Sequence, residues 1–191
     1  MTIRTRSPSS EAPAFAPGRT LVLVGLMGAG KSSVGRRLAA RLGLPFTDAD
    51  QEIEAAAGMT VSEIFARHGE PAFRDGERRV IARLLGDSVH VLATGGGAFI
   101  NAETRARIRE SAISVWLKAP VELLLQRVGR RDTRPLLRQG DPKEILEKLL
   151  AERAPVYAEA DLTVDSEDGP HNAAVERILA ALGKRGLLEP T

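Results

Sequence analysis

The chain contains no cysteine, which excludes a disulfide framework and thiolate chemistry and is compatible with the cytoplasm. It has no apolar run approaching the roughly 20 residues of a membrane span. The N-terminal stretch MTIRTRSPSSEAPAFAPGRT lacks the hydrophobic core of a secretory signal. Net charge is nearly absent: 27 cations against 25 anions leave +2, interspersed and without a long basic run. Nucleic acid and membrane surfaces are therefore not expected partners. The three histidines, His68, His90 and His171, are scattered without metal-ligand spacing and read as surface or cap residues.

What is present is 191 residues, 43% hydrophobic and 27% charged, enough for one soluble domain with a real core. Ser, Pro and Ala in residues 1–18 predict a flexible leader, and residues 184–191 a frayed tail, with a single domain over 19–183. Within that domain apolar runs alternate with helical patterns. Strands are predicted at Thr20–Val24, at Thr47–Asp50, in VHVLATGGG, in AISVWL and in ADLTVD. Helices are predicted from Lys31 to Leu42 with Gly43 as the stop, after Thr60, and from Glu70 to Leu85. Thr60 and Glu63 form a capping box. Further helices follow Asn101 and open at Pro120 and at Asp141-Pro142, the last with Ile145, Leu146, Leu149 and Leu150 as its apolar face. Ala173–Leu182 closes the chain, Trp116 reads as core, and Tyr157 reads as packing. Strands alternating with helices predict an α/β sandwich with a five-stranded parallel sheet.

The chemistry begins at VLVGLMGAGKSSVG. Gly25 to Ser32 fits G-x-x-x-x-G-K-[ST] between a strand and a helix, the setting of a phosphate-binding loop. Glycines let successive backbone N–H groups turn toward a polyphosphate, and the helix adds its positive dipole end. Gly28, Ala29, Gly30, Lys31, Ser32 and Ser33 are the candidate phosphate contacts. Lys31 is placed to reach the β/γ phosphates and the Ser32 hydroxyl to ligate Mg²⁺.

Two absences narrow the use made of the nucleotide. The candidate strands for the acid that motor and switch ATPases place beside the metal, VLATGGG and VWLKAP, end without one. Nor is there an Asn-Lys-x-Asp segment to read guanine. A small-molecule kinase is the reading left, with its acids in Asp48-Ala49-Asp50 at the carboxyl end of a neighbouring strand. On an extended segment those two acids face opposite sides, one toward the metal and one toward the acceptor. A helix N-cap at Asp50 is the plainer alternative.

The set GLMGAGKSSVG, FTDAD, PAFRDGE, ATGGGAF, RPLL and ERAPVY resembles shikimate kinase in order and spacing, from about Leu21 to Leu182. The resemblance implies a small monomeric kinase of the nucleoside monophosphate kinase-like P-loop type. It adds to the sheet a helical substrate-binding region at about 50–85 and a mobile lid at about 127–141. Such enzymes transfer the γ-phosphoryl of ATP to the 3-hydroxyl of shikimate, with Mg²⁺, on the route to chorismate and aromatic amino acids. Arg74 and Arg153 match the family's carboxylate-binding arginines, and Glu77 the acid that fixes the first of them. Asp50 matches the acid on the reacting hydroxyl, and Asp48 acts on Mg²⁺ through a water. Gly95, Gly96 and Gly97 match the segment lining shikimate, and Phe73 an apolar wall. Arg134 matches the lid arginine over the transferring phosphoryl, and Arg127 the one stacked on adenine. The loop DSEDGPHN departs from the pattern, being acidic where many relatives carry an arginine near adenine. Alternatives are another small P-loop kinase, such as gluconate kinase, or a non-catalytic nucleotide-binding regulator. The regulator would be expected to lose Asp50, Arg74, Arg134 or Arg153, and all four are present.

Overall fold

The computed structural model describes Phe15 and residues 18–129, 140–169 and 171–188. Five strands appear in chain order as β1 (Thr20–Val24), β2 (Phe46–Asp48), β3 (Val91–Ala93), β4 (Ala112–Lys118) and β5 (Leu162–Asp165). Among the described residues the helices are α1 (Lys31–Leu42), α2 (Ala49–Ala57), α3 (Val61–Leu84), α4 (Ala102–Ser111), α5 (Val121–Val128), α6 (Pro142–Tyr157) and α7 (His171–Lys184). The strands form one sheet in the order β2-β3-β1-β4-β5, with every neighbouring pair parallel. Leu21 to Val24 have no exposed surface, as a central strand covered on both faces requires.

The order of strands determines where a ligand can sit. β1 and β3 are neighbours, with Leu21 opposite Val91, yet β1 connects outward to β2 while β3 connects across to β4. Connections leaving in opposite directions open a crevice at the carboxyl ends of the two strands. The glycine loop follows β1 and the triple glycine follows β3, so both flank that crevice.

Local signals explain most element ends. Thr60 Oγ1 accepts from the Glu63 N–H at 3.2 Å, and Glu63 Oε2 accepts from the Thr60 N–H at 2.8 Å, completing the capping box. Asn101 and Asp141 cap α4 and α6 with side-chain oxygens on the Thr104 and Lys143 N–H groups. Gly43 closes α1 at φ 64°. Pro120 stands at the N-cap of α5 rather than inside its first turn. α3 is broken at Gly69 (φ 80°, ψ 172°), just before Pro71, so its two segments meet at an angle the glycine alone allows. On α6, Leu146 is fully buried while Ile145, Leu149 and Leu150 are half-buried. Phe15 bridges Leu188, and both pack against the core.

Two expectations are corrected. The strand expected over Thr47–Asp50 ends at Asp48, and Asp50 lies in the first turn of α2. Asp48 Oδ1 accepts from the Asp50 N–H at 3.0 Å, and satisfying that donor turns the chain into a helix one residue after the strand. His90, expected at the surface or in a cap, is buried just before β3, with Nδ1 2.8 Å from the Ser88 carbonyl and 3.4 Å from Thr20 Oγ1. Trp116 is in the core as expected.

Candidate active site

The loop after β1 closes around its own backbone. A Cβ at Gly25 (φ 136°) would stand 2.7 Å from the Leu117 carbonyl oxygen, so the turn that leaves β1 admits no side chain. Gly30, at φ 92°, is the N-cap of α1, which starts at Lys31. The Lys31 side chain is nearly buried and donates to the carbonyls of Gly25 and Leu26 at 2.7 and 2.9 Å. Those bonds fold the ammonium back over the loop, where a phosphate would meet it.

This loop forms one wall of a cavity of about 300 Å³ that also holds Asp48, Asp50, Thr94, Arg127, Asp168 and Gly169. Ser32 Oγ donates to Asp48 Oδ2 at 2.6 Å, while Asp48 Oδ1 is occupied by the Asp50 N–H. Asp48 is thus held from both sides. Among the described residues no group of three or more His, Asp or Glu side chains could hold a metal by itself. A hydroxyl with one carboxylate suits Mg²⁺, which keeps several waters and takes phosphate oxygens for the rest.

Arg127 joins three parts of the fold. Its Nη1 donates to Ser166 Oγ at 3.0 Å and to the Ala29 carbonyl at 3.3 Å, and its Nη2 donates to the Glu167 carbonyl at 3.0 Å. The acidic loop after β5 has no arginine of its own, but α7 supplies Arg177, which pairs with Glu167 and donates to the Asp165 carbonyl.

A second pocket adjoins the first, and Asp50 lines both. Its other walls are Met27, Val61, Phe65, Phe73, Arg74, Glu77, Gly95, Gly96, Gly97 and Arg153. α3 supplies Arg74 and Glu77 three positions apart on one face, with Arg74 Nη1 donating to Glu77 Oε2 at 2.8 Å. Glu70, one turn earlier, accepts from Nε and Nη2 of the same guanidinium at 3.2 and 3.1 Å. Glu77 is buried, and burial pushes its carboxyl above the ordinary range; the Arg74 charge opposes that rise and the Asp50 charge adds to it.

The triple glycine has an unexpected reason. None of the three residues has a positive φ. A Cβ at Gly95 would lie 2.6 Å from Glu77 Oε1 and 3.1 Å from Asp50 Oδ1, and one at Gly97 would lie 2.5 Å from Arg74 Nη1. At Gly95 and Gly97 functional side chains occupy the space, and at Gly96 the backbone of the phosphate loop does.

The shikimate kinase family model matches residues 27–183. The chain belongs to the shikimate kinase family. It is 68% identical over 164 residues to the shikimate kinase of Caulobacter vibrioides, covering 86% of this chain and 82% of that one. To the shikimate kinase of Rhodopseudomonas palustris it is 60% identical over 178 residues, covering 93% and 88%. Among solved structures, the shikimate kinase from Acinetobacter baumannii in complex with shikimate superposes with a TM-score of 0.87 at 41% identity, over 91% of this chain and 97% of that one.

Of the residues matched to shikimate kinases from sequence, all but Ala29 and Arg134 line these two pockets. Gly28, Gly30, Lys31, Ser32, Ser33, Asp48 and Arg127 line the first, and Phe73, Arg74, Glu77, Gly95, Gly96, Gly97 and Arg153 the second. Ala29 is buried within the loop, its carbonyl accepting from Arg127. Arg134 lies outside the described residues. Sequence reasoning missed Glu70, Ser166 and the contact of Tyr157 with Gly96. Glu70 was legible in principle as the i,i+4 partner of Arg74. The other two contacts span 61 residues or more and leave no local signal.

Proposed function

We propose that the chain transfers the γ-phosphoryl of ATP to the 3-hydroxyl of shikimate, giving shikimate 3-phosphate on the route to chorismate and aromatic amino acids. The observation that carries this reading is the place of Asp50, at the junction between a phosphate-loop cavity and a pocket walled by two arginines. Family membership and the likeness to a shikimate-bound kinase support it.

In this reading the loop N–H groups and the α1 N-terminus hold the polyphosphate, and Lys31 leaves the Gly25 and Leu26 carbonyls for the phosphate oxygens. Ser32 would hold Mg²⁺ directly and Asp48 through a water, and the ion would supply positive charge to offset that of the polyphosphate. Arg74 and Arg153 bind the acceptor's carboxylate in bidentate fashion, Glu77 holds Arg74 in place, and Phe73 with the triple glycine fixes the ring. That leaves the 3-hydroxyl at Asp50, which orients it and takes its proton as the bond to phosphorus forms. A carboxylate is a weak base, but a loose transition state asks little of the nucleophile. Arg127 stacks on adenine, and Arg134 adds positive charge over the transferring phosphoryl. The enzyme acts as a monomer in the cytoplasm, as the family implies.

The test is ADP release from Mg²⁺-ATP with and without shikimate, in wild type and Asp50→Asn. Shikimate-dependent turnover is expected, falling by at least about 10²-fold in the variant. ATP binding without shikimate turnover, or turnover with gluconate instead, would overturn the assignment of the acceptor while leaving the phosphate loop intact.

A further inference from the structure

Tyr157 is the only tyrosine in the chain, the last residue of α6, and fully buried. Its ring lies 5.8 Å from that of Trp116, which a core phenylalanine would match. The hydroxyl is what a packing role does not use. It donates to the Gly96 carbonyl, and the same carbonyl accepts from Arg153 Nη1 at 3.3 Å. Arg153 stands four positions earlier on α6, so both side chains leave one helix face and converge on the same carbonyl. Arg153 and Tyr157 therefore meet on Gly96 O, beside the acceptor pocket that Arg153 and Gly96 line.

Gly96 matters to both substrates' sites. A Cβ there would stand 3.3 Å from the Met27 N and 3.6 Å from the Gly25 carbonyl oxygen, so its backbone lies directly against the phosphate loop. A carbonyl oxygen has two lone pairs, and here one faces the phenol and the other the guanidinium. When a carboxylate draws Arg153 toward the pocket, the phenol keeps the carbonyl satisfied. Without the phenol, each move of Arg153 toward substrate would strip a buried acceptor of its partner.

We propose that Tyr157 is a positioning residue for the acceptor's carboxylate: its hydroxyl holds Gly96 O and orients Arg153, which frees the remaining guanidinium N–H groups for the substrate. This rests on the reading of Arg153 as a carboxylate ligand. Burial pushes the phenol up to about 12, so it remains a donor throughout the working pH range.

The experiment compares wild type with Tyr157→Phe, using shikimate and shikimate methyl ester, which keeps the 3-hydroxyl but lacks the charge. The variant should raise the KM for shikimate about tenfold, within the usual cost of leaving a buried acceptor without its partner. The KM for ATP should stay within about twofold and kcat within about threefold, as for a loss of ground-state binding. The preference for acid over ester in kcat/KM should shrink by the same factor of about ten. Parallel changes in both KM values, or an unchanged acid-to-ester preference, would overturn the role of Tyr157. A wild type that does not prefer the acid would instead show that the carboxylate reading itself had failed, and the proposal would fall with it. Should the variant not fold, wild type grown with 3-fluorotyrosine carries a single ¹⁹F resonance at position 157. Shikimate should shift that resonance and the ester should not; a resonance that shikimate leaves in place overturns the proposal.

Discussion

Glu77 and Gly97 show how tightly individual residues are constrained in the acceptor pocket. Among the described residues Glu77 Oε1 is buried without a hydrogen-bond partner, while Oε2 is held by Arg74. Because burial outweighs the Arg74 charge, the folded chain binds the Glu77 proton more tightly than the unfolded chain does. Glu77 therefore favours folding most below its ordinary value of 4.5, and that contribution is lost as pH rises from there through the raised folded value. Glu77→Gln removes the ionisation, so the stability of the variant relative to wild type should improve from acid toward neutral pH. Urea unfolding at a series of pH values measures this, and a constant difference would show that Glu77 carries no such burden. Gly97→Ala tests the opposite constraint. Its Cβ would displace the flexible end of Arg74 rather than backbone, so the fold should survive. Shikimate kcat/KM should fall by up to about 10²-fold, the cost of misplacing an orienting group by an ångström. ATP affinity should not change, as titration of the nucleotide alone would reveal.

Among the elements, α3 carries most of the acceptor pocket, and its break at Gly69 sets how its halves meet. Phe65 before the break packs against Phe73 after it, ring centres 4.8 Å apart and planes tilted by 43°, and both line the pocket. The nearest atom to a Cβ at Gly69 would be Pro71 Cδ at 3.6 Å, so Gly69→Ala meets no clash. The cost is conformational, about 1–3 kcal/mol for a side chain at this φ and ψ. Thermal unfolding should register that loss, and the KM for shikimate should rise while that for ATP holds. An unchanged melting temperature would mean that the two segments are free to realign. Sequence carried the elements where one local rule governed an end: the capping box at Thr60, the cap at Asn101, the stop at Gly43. It misplaced the boundary at Asp48 because strand and helix signals overlap there, and a side chain accepting from the N–H two residues on decided between them. The motif residues of the site were legible as family matches. The reason for the triple glycine was not, since its neighbours Glu77, Asp50 and Arg74 come from α2 and α3.

Over the whole molecule, the contacts that sequence could not reveal tie the two pockets to distant parts of the fold. Tyr157 does this for the acceptor side, and Ser166 for the nucleotide side. Ser166 is buried at the end of β5, donates to the Ala29 carbonyl at 3.2 Å and accepts from Arg127 at 3.0 Å. One hydroxyl thus joins the phosphate loop, α5 and the loop after β5. The phosphate loop has further supports in Lys31 and in its own glycine turns, whereas the guanidinium of Arg127 depends on this meeting point for its orientation. Ser166→Ala should therefore weaken a ligand that reaches Arg127 and spare one that ends at the phosphates. ADP affinity should fall about fivefold, the equivalent of one hydrogen bond near 1 kcal/mol. Inorganic tripolyphosphate should bind as it does to wild type, and Ser166→Thr, which keeps the hydroxyl, should restore ADP. Calorimetric titration of both ligands separates the cases. If tripolyphosphate weakens in step with ADP, the hydroxyl shapes the loop itself, and Arg127 is oriented by its other contacts, the Ala29 and Glu167 carbonyls.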